Sequence, residues 1–156
     1  MSQREIDETF GKITNGVFII TTKCDDRVNG MTAAWVTRVS FKPPLVSISI
    51  GKTRFSHNLI KKGGVFAVNI LKEGQIDMGK HFGFRSGMDV DKFATIPYDT
   101  RATGSPILKD IAGWLDCKVV SSCDASDHTI FVGEVIDAWV DRKAKPLVYR
   151  KEDFFG

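Results

Sequence analysis

Leu45-Val46-Ser47-Ile48-Ser49-Ile50 decides how this chain is read. Leu45, Ser47 and Ser49 fall on one face and Val46, Ile48 and Ile50 on the other, because successive side chains of a strand point to opposite sides. A stretch so short and so rich in β-branched residues is a strand whose two faces meet different environments. Just upstream, Pro43-Pro44 cannot donate to a central ladder, so the pair separates this strand from Met31 to Phe41, a run of small and β-branched residues. Farther back, Val17-Phe18-Ile19-Ile20-Thr21-Thr22 has the composition of a strand covered on both faces. Asp25-Asp26-Arg27-Val28-Asn29-Gly30 supplies turn chemistry after it, which predicts a first hairpin.

Downstream of Ile50 the pattern predicts a short helix capped by Thr53, carrying Phe55 and Leu59 at i, i+4 spacing and ended by Lys61-Lys62-Gly63-Gly64. Strands return at Val65 to Leu71, Leu115 to Ser122 and Thr129 to Val140, the last two split by a polar turn from Ser122 to Asp127. Gln75 to Phe84 reads as a second short helix. Arg85 to Pro106, rich in Gly, Ser, Thr and Asp, reads as an irregular surface excursion. No internal repeat or linker interrupts the chain, so the expectation is a single domain over residues 1–156. Its fold class is all-β dominated, a closed or nearly closed antiparallel barrel with short helical insertions.

Composition agrees with one full core: 156 residues, 42% of them hydrophobic. The 22 Lys plus Arg and 19 Asp plus Glu leave a net charge of +3 without like-sign blocks, too small an excess to argue for nucleic acid. No apolar run approaches the roughly 20 residues that cross a bilayer, and the N-terminus lacks an apolar signal core, so a cytoplasmic protein with no membrane partner is expected. Cys24, Cys117 and Cys123 are odd in number and lack CxxC spacing, as expected of reduced thiols.

Four constellations could carry chemistry. Asn29-Gly30-Met31-Thr32-Ala33-Ala34-Trp35 is either an ordinary Asn-Gly hairpin turn or a place where backbone approaches a flat ligand. Gly51-Lys52-Thr53-Arg54-Phe55-Ser56-His57 gathers cations and hydroxyls at a helix N-terminus; it is either a phosphate seat or a capped, solvated helix start. His81-Phe82-Gly83-Phe84-Arg85-Ser86-Gly87, leading to Asp91-Lys92-Phe93, is either a ligand-covering loop or a loop whose aromatics dock on the barrel. Asp127-His128-Thr129 places a histidine beside an aspartate at the entry to a strand. No Ser/His/Asp order, metal-type cluster or GxxxxGK[ST] loop stands out, which sets aside hydrolase, zinc-enzyme and nucleoside-triphosphatase readings.

In this order, with Val39-Ser40-Phe41-Lys42-Pro43-Pro44-Leu45-Val46 and Phe66-Ala67-Val68-Asn69-Ile70-Leu71 between and Pro146-Leu147-Val148-Tyr149 near the end, the segments resemble the flavin reductase-like, FMN-binding split-barrel family. The resemblance implies a six-stranded antiparallel split barrel with Greek-key connections, forming a homodimer with one flavin per subunit. It implies FMN rather than FAD, with NAD(P)H as co-substrate and no metal. It places Asn29, Met31, Thr32, Ala33 and Trp35 along the flavin ring and ribityl chain, and Ser49, Ile50 and Gly51 at the ring's other edge. Lys52, Thr53, Ser56 and Lys92 match the phosphate-binding set, Arg85, Ser86 and Gly87 a covering loop, and His128 a residue near the nicotinamide pocket. Trp35 stands where many members that reduce free flavin have a small residue. That keeps open a flavoredoxin-like electron carrier, served by a redox protein partner and without NAD(P)H activity of its own.

Overall fold

In the computed structural model, which describes residues 1–155, the chain runs α1 (Gln3–Phe10), β1 (Phe18–Cys24), β2 (Arg27–Ala33), β3 (Val36–Ser40), β4 (Leu45–Gly51), α2 (Phe55–Gly63) and β5 (Val65–Ile70). It continues through α3 (Ile76–Gly83), β6 (Tyr98–Thr100), β7 (Pro106–Leu108), β8 (Gly113–Ala125), β9 (His128–Val140) and α4 (Lys151–Phe155). In β4, Val46, Ile48 and Ile50 are buried and the alternate residues only half so, as the alternation predicts.

All neighbours in the main sheet are antiparallel, in the order β2-β1-β5-β8-β9-β4-β3. Its two edges, β2 and β3, are joined covalently through Ala34 and Trp35 alone, so β2 and β3 act as one long strand bent in the middle. One half pairs with β1 and the other with β4. Counted this way the sheet is the six-stranded antiparallel split barrel expected, with the bend as its split. Register shifts at Asp116/Cys117 and Val119/Ser121 in the β8–β9 ladder add the local twist that curls the sheet.

Both faces of the wall are covered. Ile20, Met31, Ile48, Ile50, Phe66 and Phe131 fill one apolar cluster, while Val17, Ile19, Leu71, Phe82, Ile111 and Trp114 form another. Adjacent residues Ile19 and Ile20 thus point into different cores, which is why Val17 to Thr22 carries no alternation.

Several local expectations are corrected. Asn29-Gly30 is not a turn: both lie inside β2, paired with Thr22 and Thr21, and the reversal is the two-residue loop Asp25-Asp26. Asp25 takes positive φ (52°), a conformation aspartate tolerates better than most side chains. Thr53 caps nothing, because α2 begins after Arg54, which makes no side-chain cap bond. The buried side of α2 is Ser56, His57 and Ile60 rather than Phe55 and Leu59. It ends as expected, with Gly64 left-handed at φ 69°. The turn placed at Ser122 to Asp127 shrinks to Ser126-Asp127, since the β8–β9 ladder persists to Ala125↔His128. The excursion from Arg85 to Pro106 is not all surface either, for Lys92, Ser105 and Pro106 are buried.

Candidate functional site

The N-terminus of α2 is the point on which the predicted segments converge. Asn29, on β2, is 3% exposed and its Nδ2 donates to Ser56 Oγ at 2.8 Å, tying the strand to the first turn of the helix. Gly87 packs against that pair so closely that any β-carbon there would strike Asn29 Oδ1. Arg27 fastens the same loop, donating from Nη2 to the Gly87 carbonyl at 2.8 Å while its guanidinium lies 4.7 Å over the Phe55 ring. The loop beginning at Arg85 is therefore docked across β2 and α2.

Lys92 lies below this loop, 3% exposed, its Nζ donating to the carbonyls of Gly30 (2.8 Å) and Phe82 (2.9 Å). A buried ammonium is costly unless paired, yet no carboxylate bridges it among the described residues. Burial, and then the like charge of Arg54, lower its pKa from 10.5 to about 8. Burial also lowers the pKa of Arg54. Two cations without a carboxylate partner among the described residues, beside a helix N-terminus, suit an anion.

At the adjoining end of β4, Gly51 faces His128 across the ladder. A β-carbon at Gly51 would lie 3.8 Å from His128 Nε2 and 3.4 Å from Arg54 Cγ, so the glycine leaves a shallow floor between them. Trp35, 58% exposed, sets its indole 4.9 Å from the His128 imidazole at 40°. His128 Nδ1 is 2.8 Å from an Asp127 carboxylate oxygen, and this hydrogen bond, with the histidine charge, lowers the Asp127 pKa. Imidazole, indole and glycine form an open wall on which a flat ring could lie.

The structure thus brings Asn29, Gly51, Ser56, Lys92, Trp35 and His128 around one helix end. Other predicted residues stand differently. Met31 and Ile50 point into the barrel core and have only backbone to offer a ligand. Thr32 spends its hydroxyl on the Gly79 carbonyl at 2.5 Å. Ala33 and Ser49 are half-buried beside Trp35, whose carbonyl accepts from Ser49 N. Lys52 pairs with Asp124 and its backbone N donates to the Asp127 carbonyl at 2.9 Å, and Thr53 is exposed. Arg85 is exposed, and Ser86 Oγ accepts from Met88 N within its own turn. Arg54 belongs to the Gly51–His57 constellation read as a phosphate seat but not to the set that the family resemblance implied; its half-burial and its like charge beside Lys92 single it out here.

No described helix is long and apolar enough to cross a membrane, and no described group of His, Cys, Asp and Glu could hold a metal. All three cysteines are free thiols; burial, reinforced by Asp116, pushes Cys117 up to about 12.

Comparison with known proteins agrees with this layout. Residues 10–156 match the family model described as "Flavin reductase like domain". The chain is 35% identical over 144 residues to a ferric-chelate reductase (NAD(P)H) of Archaeoglobus fulgidus, covering 91% of this chain and 85% of that one. It is 37% identical over 139 residues to a high molecular weight rubredoxin of Moorella thermoacetica, of which it spans 61%. Among solved structures it superposes on the NADH:FAD oxidoreductase SgcE6 of Streptomyces globisporus with TM-score 0.88 and 31% identity, covering 95% and 89% of the two chains. With its bent-strand split barrel and its cation-lined helix end, the chain belongs to the flavin reductase-like domain family and is a flavin oxidoreductase.

Proposed function

We propose that the chain, acting as one domain and as a homodimer in the cytoplasm, binds FMN and reduces it with NAD(P)H. The observation that carries this reading is the pair Lys92 and Arg54, like charges held together with no carboxylate between them. A flavin phosphate fits that donor set, and a bound flavin would supply the hydride-accepting ring. Lys92 and Arg54 would neutralise the phosphate, with Ser56 and the amides of the α2 N-terminus beside them. The absent side chain at Gly51 admits a flat ring against the strand end, between backbone of Met31 and Ile50 and the wall of Trp35 and His128. Asp127 holds the His128 imidazole by its Nδ1, which leaves Nε2 for a ligand amide. The loop of Arg85, Ser86 and Gly87 excludes water from the phosphate end.

FMN is favoured over FAD because the cationic seat asks for one terminal phosphate; SgcE6 is an NADH:FAD oxidoreductase, so competitive titration of both flavins decides. NADH and NADPH are both candidates. The carrier alternative is less favoured, because the relatives above include an NAD(P)H reductase.

The test is direct. Purified protein mixed with FMN is expected to bind it and to oxidise NADH or NADPH under steady-state assay. Protein with no measurable flavin affinity would defeat the proposal; bound flavin with no turnover on either nicotinamide would leave only the carrier.

The Lys92 pKa adds a signed prediction. Between about pH 8 and 10.5 the unfolded chain binds this proton while the folded chain has lost it, so the contribution of Lys92 to the stability of the flavin-free protein rises with pH across that window. Phosphate binding needs the protonated ammonium, so flavin affinity moves the opposite way, weakening on the order of tenfold between pH 7 and pH 9. Fluorescence titration across this range checks it, and flat affinity would remove Lys92 from the phosphate seat.

A further inference from the structure

Helix α1 is well formed yet buries none of its residues. Its capping box is complete: Glu5 N donates to Ser2 Oγ and Ser2 N to Glu5 Oε2, both at 3.1 Å. No residue of it is buried, and Phe10 and Ile13 are 68% and 61% exposed. An isolated helix of this length is marginal in water and draws its stability from packing an apolar stripe, and Ile6, Phe10 and Ile13 form such a stripe at i, i+4, i+7 spacing.

The barrel, for its part, leaves open an apolar groove of about 310 Å³ between the halves of the wall, lined among others by Phe18, Val36, Leu45, Val68, Ile70 and Leu115. Arg38 is the one charged residue lining it, whereas α1 carries Glu5, Asp7 and Glu8 against Arg4. Shape class and charge therefore match between two surfaces of the same chain.

They are held apart within it. Asn15 accepts from Tyr149 N at 2.8 Å, Gly16 bridges Val148, and the end of α1 continues through hydrogen bonds from Lys12 N and Ile13 N to Thr9 and Phe10. Only Thr14 separates this hydrogen-bonded turn from the Asn15 seam, and no residue of α1 is buried. We propose that α1 of one subunit docks in the barrel groove of a second copy, and reciprocally, as an exchanged pair of arms about a two-fold axis. This rests on the homodimer reading above and names the surface that would build it.

Sedimentation velocity on the flavin-loaded protein tests it, alongside the double variant Phe10→Asp, Ile13→Asp, whose changes lie on exposed positions and leave the barrel intact. The wild type is expected to be dimeric and the variant to self-associate at least about tenfold more weakly, with its flavin spectrum retained. A photocrosslinking phenylalanine analogue at position 10 is expected to join two subunits, with the attached peptide falling within residues 36–46. A variant as dimeric as the wild type, or crosslinks formed only within one chain, would overturn the arm exchange while leaving the homodimer in place. A monomeric wild type would overturn both, and neither result touches flavin binding, which the spectrum reports separately.

Discussion

Lys92→Met is expected to weaken FMN binding between about tenfold and a hundredfold, the range for losing one charge-assisted hydrogen bond. Methionine keeps the apolar stem in its buried channel but removes the ammonium that Gly30 and Phe82 hold with their carbonyls. Two effects on stability oppose one another. The fold no longer carries a desolvated charge beside Arg54, but two carbonyls lose a donor. Affinity is therefore the clean readout, taken by flavin fluorescence quenching at pH 7. Arg54→Gln in the same background should cost less than in the wild type, because both side chains serve one anion. An unchanged dissociation constant for Lys92→Met would locate the phosphate elsewhere.

Gly133→Val should lower the melting temperature by about 2–12 °C, which corresponds to the roughly 1–3 kcal/mol that overpacking a core costs. Gly133 lies on β9 over the barrel interior, where a β-carbon would stand 2.5 Å from Phe66 Cζ, 2.7 Å from Cε1 and 2.9 Å from Cys117 Cβ. Phe66 is 0% exposed and in contact with the rest of the barrel cluster, so its ring cannot retreat without moving Phe131, Ile48 or their neighbours. Differential scanning fluorimetry reads the shift. A melting temperature unchanged within a degree or two would mean that the wall around Phe66 is looser than its burial indicates.

Strands were legible in this sequence wherever side chains had to satisfy two environments at once. Leu45 to Ile50 shows its alternation openly, and Val17 to Thr22 shows by its lack of alternation that both faces are covered. Turns were less so. Asn29-Gly30 has stronger local turn chemistry than Asp25-Asp26, yet Asn29 is committed to Ser56, a partner 27 residues away, and that buried hydrogen bond holds it in the ladder. The same limit hid parts of the candidate site. Lys52 looks like a phosphate cation by its place after a strand, but Asp124, brought near by the β8–β9 hairpin, claims it. Lys92 sits in a stretch whose composition reads as surface, and only the docking of that stretch over β2 and α3 buries it. Proximity in space between distant segments, which composition does not encode, decides which of these side chains meet.

The chain enters and leaves the barrel side by side. Val17 N donates to the Leu147 carbonyl at 3.1 Å, Tyr149 N to Asn15, and Gly16 and Val148 form a bridge. Everything between these points is a loop already closed upon itself, so splicing it into the middle of another polypeptide would need only a break a few ångströms wide in the host. A segment grafted before residue 15 and one grafted after residue 150 would start from the same doorway, and pulling on either would load this short seam rather than the ladders that shape the site.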